Sequence, residues 1–272
     1  MLSYKHGYHA GNYADILKHL SLNLLIDLYQ KKDKGFLYLD THAGSGVYNL
    51  KSEIASKTAE YKLGIELLYN NQFILDNINS YLEIINSFNK RGSLVFYPGS
   101  PFIAASKLRT QDRMVLSELH PNENILLNSN FKNKKDVKVQ ILKQNGLDTL
   151  KSHLPPLERR GIILIDPSYE VKNDYNEVFE KVQLGYKKFS TGCFAIWYPI
   201  LNSNLYKKMI KNLESITDEF LNIEFYYDKK VSSKMYGNGM FIINPPYKFK
   251  ETLTQDILEL QKVYKNSSFK IL

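Results

Sequence analysis

The sequence has few of the features that mark a secreted, disulfide-bonded or membrane-spanning protein. Its single cysteine, Cys193, excludes an internal disulfide, and the apolar run CFAIWYPI that begins there predicts a buried structural thiol. No apolar stretch approaches the roughly 20 residues that a membrane helix needs. Residues 1–11 are polar and aromatic, unlike a secretory signal or a transit peptide. We expect a globular protein that has no membrane partner and stays in the cytoplasm.

Internal repeats, low-complexity linkers and two common nucleotide-binding motifs are also missing. No G-K-[ST] follows a glycine loop, which argues against a phosphate-binding P-loop, and the six-residue G-x-G-x-x-G dinucleotide motif is absent. The length of 272 residues suits one large domain or one domain with an insertion. We predict a single domain over residues 1–272, acting as a monomer.

The charge balance favours a polyanionic partner. The chain has 36 Lys and Arg against 28 Asp and Glu, a net charge of +8, which suits nucleic acid but is common in other proteins too. Its 20 tyrosines suit base stacking, and they equally suit an AT-rich coding bias.

Apolar runs alternate with amphipathic helical stretches, which predicts an open α/β sheet. The seven predicted strands are residues 35–40, 113–119, 137–142, 161–166, 193–198, 222–228 and 239–244. Helices are predicted at residues 14–31, 101–109, 122–130, 146–153, 174–189, 204–216 and 251–264. Residues 53–91 break this rhythm, because their apolar residues have helical spacing throughout, and we interpret them as an inserted helical subdomain.

The loop in FLYLDTHAGSGVY predicts a nucleotide-type ligand at the end of the first strand. Glycines in residues 43–46 let the backbone turn tightly and approach a ligand, and the acid and G-x-G pattern suggests the methionine end of S-adenosylmethionine (SAM). Glu118, at the tip of the second strand, can accept the ribose hydroxyls or serve as a helix N-terminal charge. Asn145 and Gly146 can meet the adenine ring or form an ordinary turn.

The fourth strand delivers Asp166-Pro167-Ser168-Tyr169 to the same edge. An exocyclic adenine amine is a poor nucleophile, because its lone pair is delocalised into the ring. The Asp166 carboxylate and the Pro167 carbonyl can hold the two amine hydrogens and direct the lone pair at a methyl group. Tyr169 can stack on a base taken out of its helix.

A second tetrapeptide, Asn244-Pro245-Pro246-Tyr247, competes for this role. Only about a dozen residues separate its strand from the preceding one, which predicts a hairpin and hence an antiparallel last strand. Such a strand ends at the edge away from the cofactor. We therefore predict that Asn244 is structural and that the prolines cap a strand exit.

The amino-terminal segment allows two interpretations. His6, His9, Asp15 and His19 lie close in sequence, which makes a zinc site conceivable, although no H-x-x-x-H pair or cysteine supports it, and we predict no metal. Alternatively, Tyr4 and Lys18 belong to a basic and aromatic segment able to close over RNA phosphates and a flipped base.

Several motifs occur together and in order: MLSYKHGYHAGNYADILKH, FLYLDTHAGSGVY, YPGSP, SELHP, RRGIILIDPSYE, WYPI and INPPYK. Over nearly the whole chain, this set resembles the RlmJ family of bacterial 23S ribosomal RNA adenine-N6 methyltransferases. The resemblance implies a Rossmann-like methyltransferase domain with a helical insertion. It also implies that SAM is the cofactor and that the target is one adenine of 23S ribosomal RNA, at position 2030 in the family's usual substrate.

The resemblance also implies roles for individual residues. Asp166 is the catalytic acceptor, Tyr4 contacts the substrate, and the SAM contacts fall on His19, His42, Ser100, Glu118, Asn145, Gly146 and Asp166. The loop pattern by itself adds Gly44 to the expected cofactor-binding residues. Two departures are present, since the family commonly has Asp where this chain has Asn145, and Pro where it has Ser168.

Three other functions remain open from the residues alone. The tetrapeptide does not distinguish RNA from DNA, so a DNA adenine-N6 methyltransferase is one alternative. A non-catalytic RNA-binding module is the second, and a metal-dependent hydrolase built on the amino-terminal histidines is the third.

Overall fold

The computed structural model describes residues 6–90, 92–227 and 235–272. Within these residues, the α-helices are α1 (Tyr13–Gln30), α2 (Glu53–Thr58), α3 (Ile65–Tyr69), α4 (Asp76–Ser87), α5 (Ser100–Ala105), α6 (Pro121–Phe131), α7 (Gly146–His153), α8 (Asp174–Lys188), α9 (Leu205–Glu214) and α10 (Phe249–Val263). The strands are β1 (Leu37–Asp40), β2 (Val47–Asn49), β3 (Phe96–Pro98), β4 (Arg113–Ser117), β5 (Lys138–Leu142), β6 (Gly161–Ile165), β7 (Cys193–Leu201), β8 (Phe220–Tyr226), β9 (Met235–Ile243) and β10 (Ser268–Ile271).

The central sheet has the strand order β10-β8-β9-β7-β6-β1-β4-β5, and β7, β6, β1, β4 and β5 run parallel to one another. Parallel neighbours need crossover connections, and helices supply them on both faces of the sheet. One buried cluster lies between the sheet and helices that include α1, and the other between the sheet and helices that include α8. The predicted α/β, Rossmann-like class is confirmed.

The predicted strand number of seven is wrong for this sheet, which has eight strands. All seven predicted strands are present, and the missed one, β10, pairs antiparallel with β8 at the outer edge. This four-residue strand alternates between exposed and partly buried side chains. A short, half-exposed edge strand carries little hydrophobic signal, which explains why the sequence pattern did not reveal it.

The prediction for the last pair of long strands is confirmed. β9 is antiparallel to both β7 and β8, with Phe194 opposite Ile243 and Tyr226 opposite Gly237. Since β9 runs against the parallel strands, its carboxyl end lies beside their amino ends. The Asn244 amide group accordingly donates to the carbonyl oxygens of Ser190 and Gly192, at 2.7 and 2.8 Å, just before β7 begins.

In the segment predicted as an insertion, the described residues 53–90 form α2, α3, α4 and a short 3-10 helix, Glu60–Lys62. The strands on either side of it, β2 and β3, pair antiparallel and bring its two ends together. Two statements stay predictions: that this segment is a separate subdomain, and that residues 1–272 form one domain. Among the residues that the structure describes, no helix is both long and apolar enough to cross a membrane.

Candidate active site

A cavity of about 340 Å³ opens at the carboxyl ends of β1, β4 and β6. This edge of an open α/β sheet is where such folds bind ligands, and the volume suits a small molecule. The cavity brings together every residue expected to contact SAM: His19, His42, Gly44, Ser100, Glu118, Asn145, Gly146 and Asp166. Pro167 and Lys18 line it as well.

Glu118 joins two loops at the cavity wall. Its carboxylate accepts hydrogen bonds from the Gly44 N–H at 2.8 Å and from the His120 N–H at 2.7 Å. Gly44 has a φ of +59°, and a Cβ there would lie 2.1 Å from the Tyr48 hydroxyl oxygen, so only glycine fits without strain. Burial raises the pKa of Glu118, although the two N–H donors oppose this shift. The carboxylate thus lies at the cavity with lone pairs left for further donors.

The start of α7 packs very closely against the loop after β1. A Cβ on Gly146 would lie 1.6 Å from the carbonyl oxygen of Thr41, so no other residue fits with this backbone. The Asn145 side chain caps α7 by accepting from the Leu147 N–H at 2.9 Å. Aspartate, common at this position in the family, can form the same cap, and Asn145 therefore preserves the local fold.

Two further cavity residues, Ser100 and His19, are held by buried hydrogen bonds, and a third, His42, is also affected by burial. The Ser100 hydroxyl donates to Asp40 at 2.7 Å, and a ring nitrogen of His19 lies 2.6 Å from the Tyr97 hydroxyl oxygen. Burial lowers the pKa of His19 well below its usual value and lowers that of His42 to about 4. Both imidazoles are therefore neutral at pH 7, and they offer the cavity polar groups without charge.

Asp166 lies next to a buried ammonium group. Its Oδ2 is 2.5 Å from the Lys18 Nζ, and Lys18 also contacts Asp15 at 2.8 Å. The Lys18 side chain is 5% exposed and that of Asp166 is 13% exposed, so solvent screens the pair weakly. Burial raises the pKa of Asp166 while Lys18 opposes the rise, and the two carboxylates raise the pKa of Lys18 despite its burial.

The predicted contact of Lys18 with an RNA phosphate stays a prediction, and the structure gives Lys18 two carboxylate partners instead. Lys18 is buried and bridges the carboxylates of Asp15 and Asp166, which engage two of its three N–H donors. Sequence reasoning missed Asp15 as its partner, although the i, i+3 spacing of Asp15 and Lys18 on α1 was a usable signal. The same aspartate contacts a ring nitrogen of His6 at 3.1 Å, which ties the amino-terminal segment to the site.

Tyr169 does not line the cavity, contrary to the expectation that its ring stacks on a base there. The residue is 6% exposed, and its ring packs against Tyr175 with ring centres 4.6 Å apart. Its hydroxyl donates to the carbonyl oxygen of Trp197 at 2.8 Å, and its backbone has a φ of +52°. In this conformation Tyr169 anchors the turn in the core, because the hydroxyl partner and the apolar neighbours both lie there.

The cavity is rich in acidic groups and has one lysine, Lys18, among its described lining residues. Its carboxylates belong to Glu118, Glu123, Asp166, Glu170, Asp174 and Glu177. This wall suits a positively charged ligand such as a sulfonium and opposes a polyphosphate. Together with the glycine loop, it fits SAM better than a nucleoside triphosphate.

Two predictions concern the amino terminus. Tyr4 lies outside the described residues. In the part of the chain that is described, no group of three or more His, Cys, Asp or Glu side chains could hold a metal ion.

Known proteins are similar to this chain over most of its length. Residues 33–266 match the family model described as ribosomal RNA large subunit methyltransferase D, RlmJ. The chain is 44% identical over 255 residues to ribosomal RNA large subunit methyltransferase J of Escherichia coli, covering 93% of this chain and 90% of that one. It is also 44% identical to the Haemophilus influenzae protein of the same name, covering 95% and 92%.

The chain belongs to the RlmJ family of ribosomal RNA large-subunit methyltransferases. It is accordingly a methyltransferase that uses SAM. A crystal structure of a Legionella pneumophila protein is similar over 97% of this chain and 98% of that one, with 36% identity and a TM-score of 0.92. Family membership therefore decides against the hydrolase and the non-catalytic module.

Proposed function

We propose that this protein methylates the N6 amine of one adenine in 23S ribosomal RNA, the adenine at position 2030 in the family's usual substrate. The observation that carries this proposal is the Asp166 carboxylate, which lies in the cavity beside Pro167 and is bound on one side by Lys18. A hydroxyl substrate has only one hydrogen to hold and would not need two acceptors.

SAM would be held by the loop around Gly44, by Glu118 and by the closely packed start of α7 at Gly146. Glu118 has lone pairs to accept ribose hydroxyls, and the acidic wall favours a cationic ligand. When bound, SAM supplies an electrophilic methyl group on a positively charged sulfur.

The amine would be held by two oxygen acceptors. Lys18 binds Oδ2 of Asp166 and favours the ionised form of the carboxyl group, which leaves Oδ1 to accept one amine hydrogen. The Pro167 carbonyl would accept the second hydrogen, so that the nitrogen lone pair points away from both acceptors. As the nitrogen–carbon bond forms, the nitrogen gains positive charge that the carboxylate stabilises, and the surplus proton then leaves to Asp166 or to water.

Lys18 is a positioning residue in this scheme, since it acts through Asp166. Tyr169 would fix the turn through its hydrogen bond to the Trp197 carbonyl. We also propose that the protein acts as a monomer and that it works in the cytoplasm, where ribosomal RNA is modified.

The test is to incubate the protein with isotope-labelled SAM and unmodified 23S ribosomal RNA, and to map the product by mass spectrometry. We expect label in N6-methyladenine at one position. The Asp166→Ala variant should bind SAM in calorimetry yet transfer no methyl group. Label on another base, or methyl transfer that persists in Asp166→Ala, would overturn the proposal. If duplex DNA is the better acceptor, the protein is a DNA adenine-N6 methyltransferase instead.

A further inference from the structure

The edge of the sheet opposite the cavity is strongly basic. Six segments lie at this edge. Five lead into the strands β1, β4, β5, β6 and β7, and the sixth follows β9; they are residues 31–36, 107–113, 132–138, 158–160, 187–192 and 244–250. They contain 16 Lys and Arg and 4 Asp and Glu. The loops at the cavity edge, residues 40–46, 118–123, 143–148 and 166–177, contain 2 Lys and 8 Asp and Glu. The positive excess of the chain therefore lies away from the cavity.

These segments lie side by side because the strands are in register at this edge. Leu37 at the start of β1 pairs with Arg113 and with Gly161, and Phe194 in β7 pairs with Ile243 at the end of β9. At about 4.8 Å between neighbouring strands, the six strands from β9 to β5 span roughly 24 Å. The edge is thus a row long enough to follow several phosphates of a nucleic-acid strand.

Many charges in this row are exposed and have no carboxylate partner. Eleven exposed Lys and Arg side chains of these segments form no ion pair with any of the residues that the structure describes, and three of them lie in the segment before β5. The other eight are Lys31, Lys32, Lys34, Arg159, Lys187, Lys188, Lys248 and Lys250. Like charges held together repel one another, and a polyanion would relieve that repulsion. We call these eight residues, together with Tyr247, the basal surface.

Internal hydrogen bonds fix the segments that carry the basal surface. The Arg160 guanidinium donates to the Tyr29 carbonyl at 2.7 Å and to that of Lys34, which ties the segment before β6 to the one before β1. Asn244 donates to carbonyls of the segment before β7. The charges are therefore mounted on a rigid frame, which reduces the entropy that binding must overcome.

One aromatic ring completes the surface. Tyr247 is 86% exposed, and the Lys248 Nζ lies 5.8 Å from the centre of its ring. An exposed tyrosine beside lysines is the arrangement with which proteins stack an unpaired base while holding the adjoining phosphates. An acidic protein partner or an anionic lipid surface would contact the charges, but neither offers an unpaired base to stack on the Tyr247 ring.

We propose that the basal surface binds a second segment of the substrate RNA, through its phosphates and one stacked base, while the target adenine occupies the cavity at the opposite edge. This inference rests on the proposed function, because it takes ribosomal RNA as the substrate. Phosphate contacts hold an RNA without reading its sequence. The surface therefore contributes to affinity for a large, folded RNA, and the cavity chooses the nucleotide.

The test compares two RNAs: unmodified 23S ribosomal RNA and a short hairpin that contains the mapped target adenine. The basal variant carries Lys31→Gln, Lys32→Gln, Lys34→Gln and Lys187→Gln. The matched control carries Lys57→Gln, Lys207→Gln, Lys208→Gln and Lys265→Gln, which change the same charge at exposed positions outside the six segments. KM for methyl transfer and the salt dependence of RNA binding are measured for each.

For the basal variant we expect KM for 23S ribosomal RNA to rise at least about tenfold, and the log–log salt slope to fall by about 3, at roughly 0.7 per lost phosphate contact. KM for the hairpin should not change, and the control should behave like the wild type. An unchanged slope, an equal loss on both RNAs, an equal loss in the control, or lysine-dependent binding to anionic vesicles in place of RNA would overturn the inference. If the wild type methylates neither RNA, the proposed function itself has failed.

Discussion

Two turns of nearly the same sequence, Asp166-Pro167-Ser168-Tyr169 and Asn244-Pro245-Pro246-Tyr247, end two strands of one sheet at opposite edges. The first turn presents a carboxylate to a cavity and holds it with a buried ammonium group. The second uses a neutral amide to bind two backbone carbonyls, and its tyrosine is exposed. A short motif therefore acquires its role from strand direction, since direction decides which edge it reaches.

The sharpest way to break this comparison is to remove the charge that holds the cavity turn. Lys18→Met leaves Asp15 and Asp166 without their cation, and loss of one partner of a buried ion pair costs about 3–5 kcal/mol of unfolding free energy. Turnover per folded molecule should fall as well, because Asp166 loses the contact that orients it. Denaturant unfolding and methyl transfer at matched folded concentration measure both effects.

Lys107→Met is the matched control. This largely buried lysine contacts Asp27 at 2.8 Å and lies in a network away from the cavity. It should lose stability but keep turnover per folded molecule. If Lys18→Met keeps turnover per folded molecule as Lys107→Met does, then Lys18 has only a structural role and the activity of the cavity turn does not depend on its charge.

A smaller effect is expected at the second turn. Asn244→Ala loses two hydrogen bonds and places alanine at a φ of +52°, which together should cost about 2–3 kcal/mol of unfolding free energy. Asn244→Gly keeps the backbone relaxed and isolates the hydrogen bonds. Turnover per folded molecule should stay at the wild-type level in both, and a loss of methyl transfer that exceeds the unfolded fraction would contradict the structural role of this turn.

The two turns should also differ in their response to pH. Burial raises the pKa of Asp166, and the acceptor must be ionised, so activity should fall about tenfold per pH unit below that pKa. Stability changes in the opposite sense. Because the folded state binds the Asp166 proton more tightly, this group lowers the unfolding free energy as pH rises from the ordinary aspartate value to the raised one.

Activity and urea unfolding measured across the acid range in wild type and Asn244→Ala provide the check. The dependence of activity on pH should be the same in Asn244→Ala as in the wild type, because Asn244 does not titrate. The unfolding free energy of the variant should be lower at every pH. An activity profile without an acid limb would mean that the protonation of Asp166 does not matter.

The smallest expected effect comes from exchanging the one proline by which the turns differ. The Ser168 N–H donates no backbone hydrogen bond within the described residues, so proline would not remove one. Ser168→Pro should raise the unfolding free energy by about 0.4–1 kcal/mol. If the same free energy is removed from the activation barrier by a more rigid turn, turnover rises about two- to fivefold at most. SAM affinity should not change.

The reciprocal change, Pro246→Ser, should lower the unfolding free energy by a similar amount and leave turnover alone. If turnover is unchanged in Ser168→Pro, or altered in Pro246→Ser, then the rigidity of the cavity turn does not control turnover.

Seven of the eight strands, the antiparallel direction of β9 and the cavity position of three residues follow from the sequence pattern without the structure. Apolar periodicity and glycine spacing report local conformation, and parallel strands necessarily collect their following loops, including Gly44, Glu118 and Asp166, at one edge. The hairpin length likewise placed Asn244 at the other edge. These features depend on short-range pattern and on the rules of strand connection.

Tertiary structure alone decided where individual side chains went. Lys18 and Asp166 lie 148 residues apart, and only packing of α1 against the sheet brings them together. Tyr169 turned into the core because a carbonyl and an apolar cluster lie there, and the positive charge gathered at the edge away from the cavity because that is where the loops before the strands meet. Burial and long-range contacts determine these side-chain positions, and neither can be inferred from the periodicity of apolar residues along the sequence.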